Sequence, residues 1–577
     1  MIDRIAVFGS DAPTVVGQVY SCGPLSFCYE NGALRHVSLY GNEAIRSIAF
    51  LVRDRDWGTL PPYITNEEIL CTPDSVQITY AARFSSNNAQ LDVDITILAD
   101  TRGLKVVAKG VTIGAFETNR AGFTVLHPIQ GVAGHPVQVS HSDGSVETTH
   151  FPDLIAPWQP FMDIVGLTHQ AGNQKVTCQF SGDTFEMEDQ RQWGDASFKT
   201  YNRPLARPWP YEISDLDTLD QSVVLSWTPT SAYAPPRPEP TKTRGGFPEM
   251  ALVISPDEAV RLAANPGDIE NVRPQRLLCH LDASLGNTQK QFEAFAKAQR
   301  ACPNVTYDLE LICLSADDPR PEMIGLAQQM QATEFAPSSV LVCPSVDRQS
   351  TPPGSEWPPC PPLERIHAAA RLAFGDIKCG GGMVSFFPEL NRKRPPVEML
   401  DFVGHGLCPI VHAADDTSVM ETLETIPHIT KSARAIIGDR PYRIGPSTLA
   451  MRQNPYGEKT IENPHQTRIC MAHDDPRHRG EFGAAYTIGL AAALAPAGIE
   501  VWTPGALYGP RGVISRSGPW PLTLALKELA AFAGQPVHSA NCASGMASIR
   551  VGTAEIRANL TPQTQGPLGP YDWHIFH

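Results

Sequence analysis

From the N-terminus to about Trp227 the chain alternates apolar and polar residues in short runs separated by turns. Leu91, Val93, Ile95 and Ile97 interleave with Asp92, Asp94 and Thr96, and the run from Ser75 to Phe84 behaves alike. Period-two alternation sets one face of each strand on a core and the other toward water. Helical periodicity is nearly absent here, so the pattern predicts a large antiparallel β-sandwich over residues 1–229. Residues 230–243 are rich in proline, which donates no backbone N–H and fixes φ, and read as a linker.

Beyond the linker a short β-branched or leucine-rich run is followed repeatedly by an amphipathic helix. Candidate strands are Ala251 to Ile254, Arg276 to Leu281, Tyr307 to Leu314, Val340 to Pro344, Asp376 to Gly380, Phe402 to Val411, Tyr442 to Leu449 and Ile499 to Thr503. About eight parallel strands close a barrel, so residues 244–533 are expected to form a (β/α)8 TIM barrel. After a helix from Leu522 to Phe532, alternation returns in Ala547 to Leu560 and predicts a small C-terminal β domain at 534–577.

Composition narrows the functions open to such a fold. The chain has 577 residues and a formal net charge of -15, with a sequence pI near 5.6, so its surface repels polyanions. Neither nucleic acid nor an anionic membrane is expected as a partner, and a small neutral ligand fits better. Thirteen scattered cysteines without a CxxC pair indicate neither a disulfide framework nor a zinc knuckle and suit a reducing cytoplasm. The stretch MIDRIAVFGSDAP has no secretory h-region, and the apolar stretch from Gly483 to Trp502 is broken by Pro496 and reads as helix then strand.

In a TIM barrel, reactive side chains sit at the C-terminal ends of the strands. Reading those ends yields Asp282, Glu310, Ser345, Glu389, His405 and His412. The stretch KCGGGMVSFFPELNRKRP is the densest candidate: Gly380, Gly381 and Gly382 allow close backbone approach, and Glu389, Asn391 and Arg392 follow at once. Acid, amide and guanidinium groups on one rim suit a polyhydroxylated ligand. The plainer alternative is a glycine turn followed by a surface ion pair. Glu310 lies within an apolar strand, where a carboxylate is either paired or shifted in pKa. His405 and His412 flank a strand end near Asp415 and Asp416, a setting for a carboxylate-oriented general base or for core histidines.

A second cluster lies in the sandwich. The stretch EMEDQRQWGDASFKTY, Glu186 to Tyr201, sets Glu186 and Glu188 on one strand face and Met187 and Asp189 on the other, with Asp195, Lys199 and Arg191 nearby. Arg203, Arg207, Trp209 and Tyr211 follow, and rings beside polar groups are a common format for carbohydrate. Glu188, Asp195 and Lys199 are therefore candidate substrate-binding residues, with a salt-bridged hairpin as the structural alternative. His473, Asp474, Asp475 and His478 match no standard zinc spacing, so no metal is expected. GxSxG, HExxH, GxGxxG after a strand and GxxxxGK[ST] are all missing, which leaves no cofactor motif.

These strings carry a resemblance. FEMEDQRQWGDASFKTYNRPLARPWPY, GFTVLHPIQGVAGHPV from Gly122 and GGGMVSFFPELNRKRP from Gly380 are similar to the D-apionate lactonase family of bacterial branched-sugar catabolism, over nearly the whole chain. The resemblance implies a β domain, a TIM barrel and a further β domain, and hydrolysis of D-apionolactone to D-apionate in the cytoplasm. The string VLHPIQGVAG also resembles mutarotase-type sandwiches, which would bring His127 and Glu188 to a ligand. Lactone opening needs a base for water, an oxyanion donor and an acid for the leaving alkoxide. Glu389, Glu310 or His405 is the expected base, with Arg392 or Lys199 at the oxyanion and Asn391, Asp282 and His412 binding substrate. The expected partner is a sugar lactone, and a homo-oligomer is admitted. The rivals are a glycoside hydrolase with two catalytic carboxylates and a non-catalytic carbohydrate-binding protein.

Overall fold

The computed structural model describes residues 3–86, 88–230, 245–314, 317–457, 459–515 and 519–576. Apart from Thr230, the proline-rich linker expected at 230–243 lies outside them. Two compact units are present.

The first is the sandwich. Among the described residues it holds a nine-stranded and an eight-stranded antiparallel sheet. The eight-stranded sheet runs through Asn42–Arg53, Arg120–His127, Phe198–Tyr201 and Glu186–Asp189 in that order. Alternation works as the sequence indicated: Ile48, Phe50, Val52, Phe123, Val125, Met187 and Phe198 face the core shared with Ile78, Val93 and Ile95 of the other sheet. Each such side chain removed from water stabilises by about 1.5–3 kcal/mol, which ties strand register to the fold.

The second unit is a closed barrel of eight parallel strands: β1 (Glu249–Ile254), β2 (Arg276–Asp282), β3 (Thr306–Cys313), β4 (Ser339–Pro344), β5 (Lys378–Met383), β6 (Phe402–Leu407), β7 (Tyr442–Ser447) and β8 (Ile499–Ala506). β6 and β7 end short of the runs read from sequence, and in each case a loop carrying chemistry begins there. Pro409, lacking an N–H, cannot extend β6. The glycines of β5 serve barrel closure. Gly382 has φ +119°, and a Cβ there would stand 2.0 Å from the Gly404 carbonyl oxygen of β6. The interior is filled, leaving a cavity of about 30 Å³ beside Asp308, Glu310 and Arg443.

A four-stranded antiparallel sheet from Val537 to Phe576 completes this unit and packs on the alanine-rich helix Glu481–Leu494. At Gly489 of that helix an added Cβ would meet Leu560 at 3.2 Å. The described N-terminal residues up to Pro13 and the four residues Gln192–Asp195 also group with the barrel. Phe8, in a short helix Arg4–Phe8, sets its ring 5.9 Å from Phe482, tilted, and 5.7 Å from Tyr571, edge-on. Periodicity cannot show which of two cores a short segment joins. Among the described residues no helix is long and apolar enough to cross a membrane.

Candidate active site

The loop after β6 carries His412. Its Nδ1 stands 2.7 Å from Asp195 Oδ2, while Nε2 lies 3.3 Å from the Tyr456 hydroxyl. Both members of the His–Asp pair keep 14% of their side-chain surface exposed, so the imidazole is oriented and still reachable. Asp195 comes from the segment Gln192–Asp195, which also supplies Trp193. That indole meets His412 edge-on at 5.8 Å and Tyr456 at 5.3 Å. The Arg392 guanidinium lies 5.7 Å from the centroid of the same ring.

Arg392 and Glu389 share the helix Phe387–Lys393, three residues apart and so on one face. Both are buried. Ser350 donates to Glu389 Oε1 at 2.6 Å, and Arg392 donates to Ser350 Oγ at 3.0 Å and to the Thr351 carbonyl at 3.2 Å. Glu389 Oε2 is buried without a hydrogen-bond partner. Burial pushes the Glu389 carboxyl above the usual range, against the pull of Ser350 and Arg392. Asn391 is buried on the same helix.

The barrel strands place a different set. Burial would raise Glu310, but Arg452 and the hydrogen bond of His280 outweigh burial and take its carboxyl to about 2. Arg452 donates to Glu310 Oε1 at 2.6 Å and to the Val384 carbonyl at 2.6 Å, and His280 Nδ1 approaches the same carboxylate at 2.7 Å. Asp282, at the end of β2, pairs with Arg348 at 2.5 Å and accepts from Ser284. Arg511 is nearby. Burial and then the charge of Arg452 lower it to about 10.

Five residues named from sequence are thus found in one neighbourhood: Glu389, Asn391, Arg392, His412 and Asp195. Glu310 and Asp282 are engaged by arginines. His405 has both nitrogens occupied, Nδ1 by the Gly406 carbonyl at 2.9 Å and Nε2 by the Tyr442 hydroxyl at 2.7 Å, and burial holds it near 4. It is a neutral core histidine, 2% exposed and therefore out of reach of substrate, unlike His412. In the sandwich Glu188 pairs with Lys199 at 2.5 Å on the face away from the core, whereas His127 points into the core and is fully buried. The two therefore cannot flank one ligand, because they lie on opposite faces of the sheet. Asp474 pairs with Arg479, and His478 bonds the Gly512 carbonyl.

Arg452, His280 and Tyr456 were not singled out from sequence. Arg452 lies five positions beyond the end of β7, within reach of a strand-end reading. Nothing local marks Tyr456. Replacing Glu310 with Gln leaves Arg452 and His280 facing a neutral group in a buried site. The expected cost is about 3–5 kcal/mol, read as a lower urea midpoint of the barrel transition. An unchanged midpoint would mean that the Glu310 pair is not structural.

A closed (β/α)8 barrel whose βα loops gather an oriented imidazole, a buried carboxyl and a guanidinium beside an indole defines a TIM-barrel enzyme. The family profiles described as D-apionate lactonase, N-terminal domain, and D-apionate lactonase, TIM barrel domain, match residues 5–230 and 250–534. A curated protein of Brucella anthropi named D-apionate lactonase is 43% identical over 553 residues, covering 92% of this chain and 90% of that one. The chain belongs to the D-apionate lactonase family. Among solved structures, a GH30 endoxylanase from Clostridium papyrosolvens is 9% identical, with a TM-score of 0.35, over 55% of this chain and 82% of that one. A GH36 α-galactosidase from Geobacillus stearothermophilus is 9% identical, with a TM-score of 0.27, over 94% and 91%. Likenesses this low carry no functional weight.

Proposed function

We propose that this protein hydrolyses D-apionolactone to D-apionate by direct attack of water, with His412 as general base. The observation that carries the reading is the Asp195–His412–Tyr456 line. Asp195 accepts a hydrogen bond from Nδ1–H and so leaves the basic lone pair on Nε2, the nitrogen beside the Tyr456 hydroxyl. Water gives its proton to His412 Nε2 as its oxygen bonds to the lactone carbonyl carbon. The carbonyl oxygen takes negative charge, within a field that includes the Tyr456 hydroxyl and the Arg392 cation. The ring C–O bond then breaks, and the proton held by His412 passes to the departing alkoxide. One water is consumed and one hydroxy acid is formed.

Glu389 is a positioning residue in this scheme, since through Ser350 it fixes Arg392. The free thiols of the cysteines support a reducing, cytoplasmic setting. The test is acid release from D-apionolactone, D-xylonolactone and D-gluconolactone in a pH-indicator assay, with nitrophenyl glycosides alongside. Acid release with kcat/KM of about 10⁴ M⁻¹s⁻¹ or more on the branched lactone is expected. Glycoside cleavage with no lactone opening would overturn the reading.

A further inference from the structure

The eight-stranded sheet of the sandwich carries a cation that the proposed reaction does not use. Arg120 is 6% exposed, and its Nε has no hydrogen-bond partner. Among the described residues no carboxylate pairs with it. Its guanidinium carbon lies over the Tyr201 ring, 3.9 Å from the centroid, with Trp57 at 5.4 Å. Buried guanidinium groups ordinarily find acceptors.

The strand register shows what surrounds it. Along Arg120–His127, Arg120, Gly122, Thr124 and Leu126 turn away from the core, since Ala121, Phe123 and Val125 are in it. Thr124 pairs with Tyr201 and Leu126 with Lys199, while Tyr201 and Lys199 pair in turn with Glu186 and Glu188. Residues facing one another across strands share a face. Lys199 is satisfied by Glu188, and Glu186 Oε1 by the Tyr201 hydroxyl at 2.6 Å and the Leu205 amide at 2.9 Å. Three polar atoms on this face are buried without a hydrogen-bond partner: Arg120 Nε, Thr124 Oγ1 and Glu186 Oε2. Arg53, at the facing position across from Arg120, donates to the Trp57 carbonyl at 3.3 Å, so Arg120 is the cation of this face that no carboxylate meets among the described residues.

We propose that this face binds the carboxylate of a small polyhydroxy acid, an aldonate. Arg120 pairs with the carboxylate, Thr124 Oγ1 and Glu186 Oε2 bond ligand hydroxyls, and the Tyr201 and Trp57 rings supply the apolar walls. The assignment does not depend on the barrel chemistry, because every group named belongs to the sandwich unit.

The test is calorimetric titration of the full chain with D-xylonate and D-gluconate, with acetate as the control. Wild type is expected to bind an aldonate more tightly than acetate. Arg120→Met should weaken binding by about tenfold to a hundredfold, and Thr124→Val by several-fold. Ligand-free Arg120→Met should melt no lower than wild type, since an uncompensated buried cation is removed. His412→Asn should bind the aldonate as wild type does. That result separates this site from the barrel, whatever becomes of lactone hydrolysis. No aldonate binding, equal binding of acetate, or binding lost in His412→Asn and kept in Arg120→Met would each overturn the proposal. Should Arg120→Met fail to fold, Thr124→Val decides it: unchanged affinity rejects the site.

Discussion

Replacing His412 with Asn should lower kcat/KM for lactone opening by about 10²- to 10⁴-fold and leave the fold intact, because the side chain is partly exposed and lies in a loop. The loss should fall on kcat, since the base acts on water and not on ground-state substrate. Asp195→Asn should approach the same loss by a different route. Without a carboxylate at 2.7 Å the Nδ1–H tautomer is no longer favoured, and the imidazolium formed during the reaction has no counter-charge. Tyr456→Phe should cost about 10²-fold or less if its hydroxyl is one of several donors to the developing oxyanion. The double variant of His412 and Asp195 should be no worse than His412→Asn, because the pair acts as a unit. Circular dichroism and single-turnover kinetics check this together. A folded His412→Asn protein with near-wild-type turnover would remove the dyad from the chemistry.

Lowering the pH should unfold the protein between about pH 6.5 and 4. Burial holds His169, His367, His405 and His478 near 4, below the ordinary histidine value near 6.5. As pH falls through that window the unfolded chain takes up protons that the folded chain refuses, so stability is full above about 6.5 and declines below it. A difference of about 2.5 units corresponds to about 3 kcal/mol per histidine once both limits are passed. Four such groups together amount to about 12 kcal/mol, comparable to the stability of an ordinary domain, so unfolding accompanies their titration. Glu310 adds to the loss in a lower window. Its folded carboxyl near 2 contributes stability that is present above about 4.5 and disappears as pH falls toward 2. Three of these four histidines lie in the barrel unit, while His169 lies in the sandwich with His127, which burial also lowers, so both units should lose stability as the pH falls. The buried Trp502 of β8 reports unfolding of the barrel by fluorescence. A native far-UV spectrum maintained below pH 4 would contradict the prediction.

Much of the architecture was legible along the chain. Alternation at Leu91 to Ile97 marked sandwich strands, and all eight barrel strands lie within or beside the apolar runs that suggested them. The charges beside the rings of Glu186 to Tyr201 are also explained by the period of two. Glu188 with Lys199 occupies one face, while Asp189 with Arg191 is sealed on the other, where Arg191 also takes the Pro152 and Asp153 carbonyls. Roles were less legible. His405 and His412 stand seven positions apart in one stretch, yet one is locked by Tyr442 and the other is presented by Asp195. Glu310 looked like a catalytic acid because a lone carboxylate in an apolar strand is costly, but the compensating charge of Arg452 comes from 142 residues away.

By itself, then, the sequence determined the classes of element, their order, the closure number of the barrel and the residue types available to its mouth. These are set by short-range periodicity and by the solvent preference of each side chain. Only the tertiary structure decided which acid meets which base. The Asp195–His412 contact spans 217 residues and exists because the short segment Gln192–Asp195 leaves the strands on either side of it to join the barrel unit. Burial of that kind is a property of the assembled core, which no local window of the chain contains.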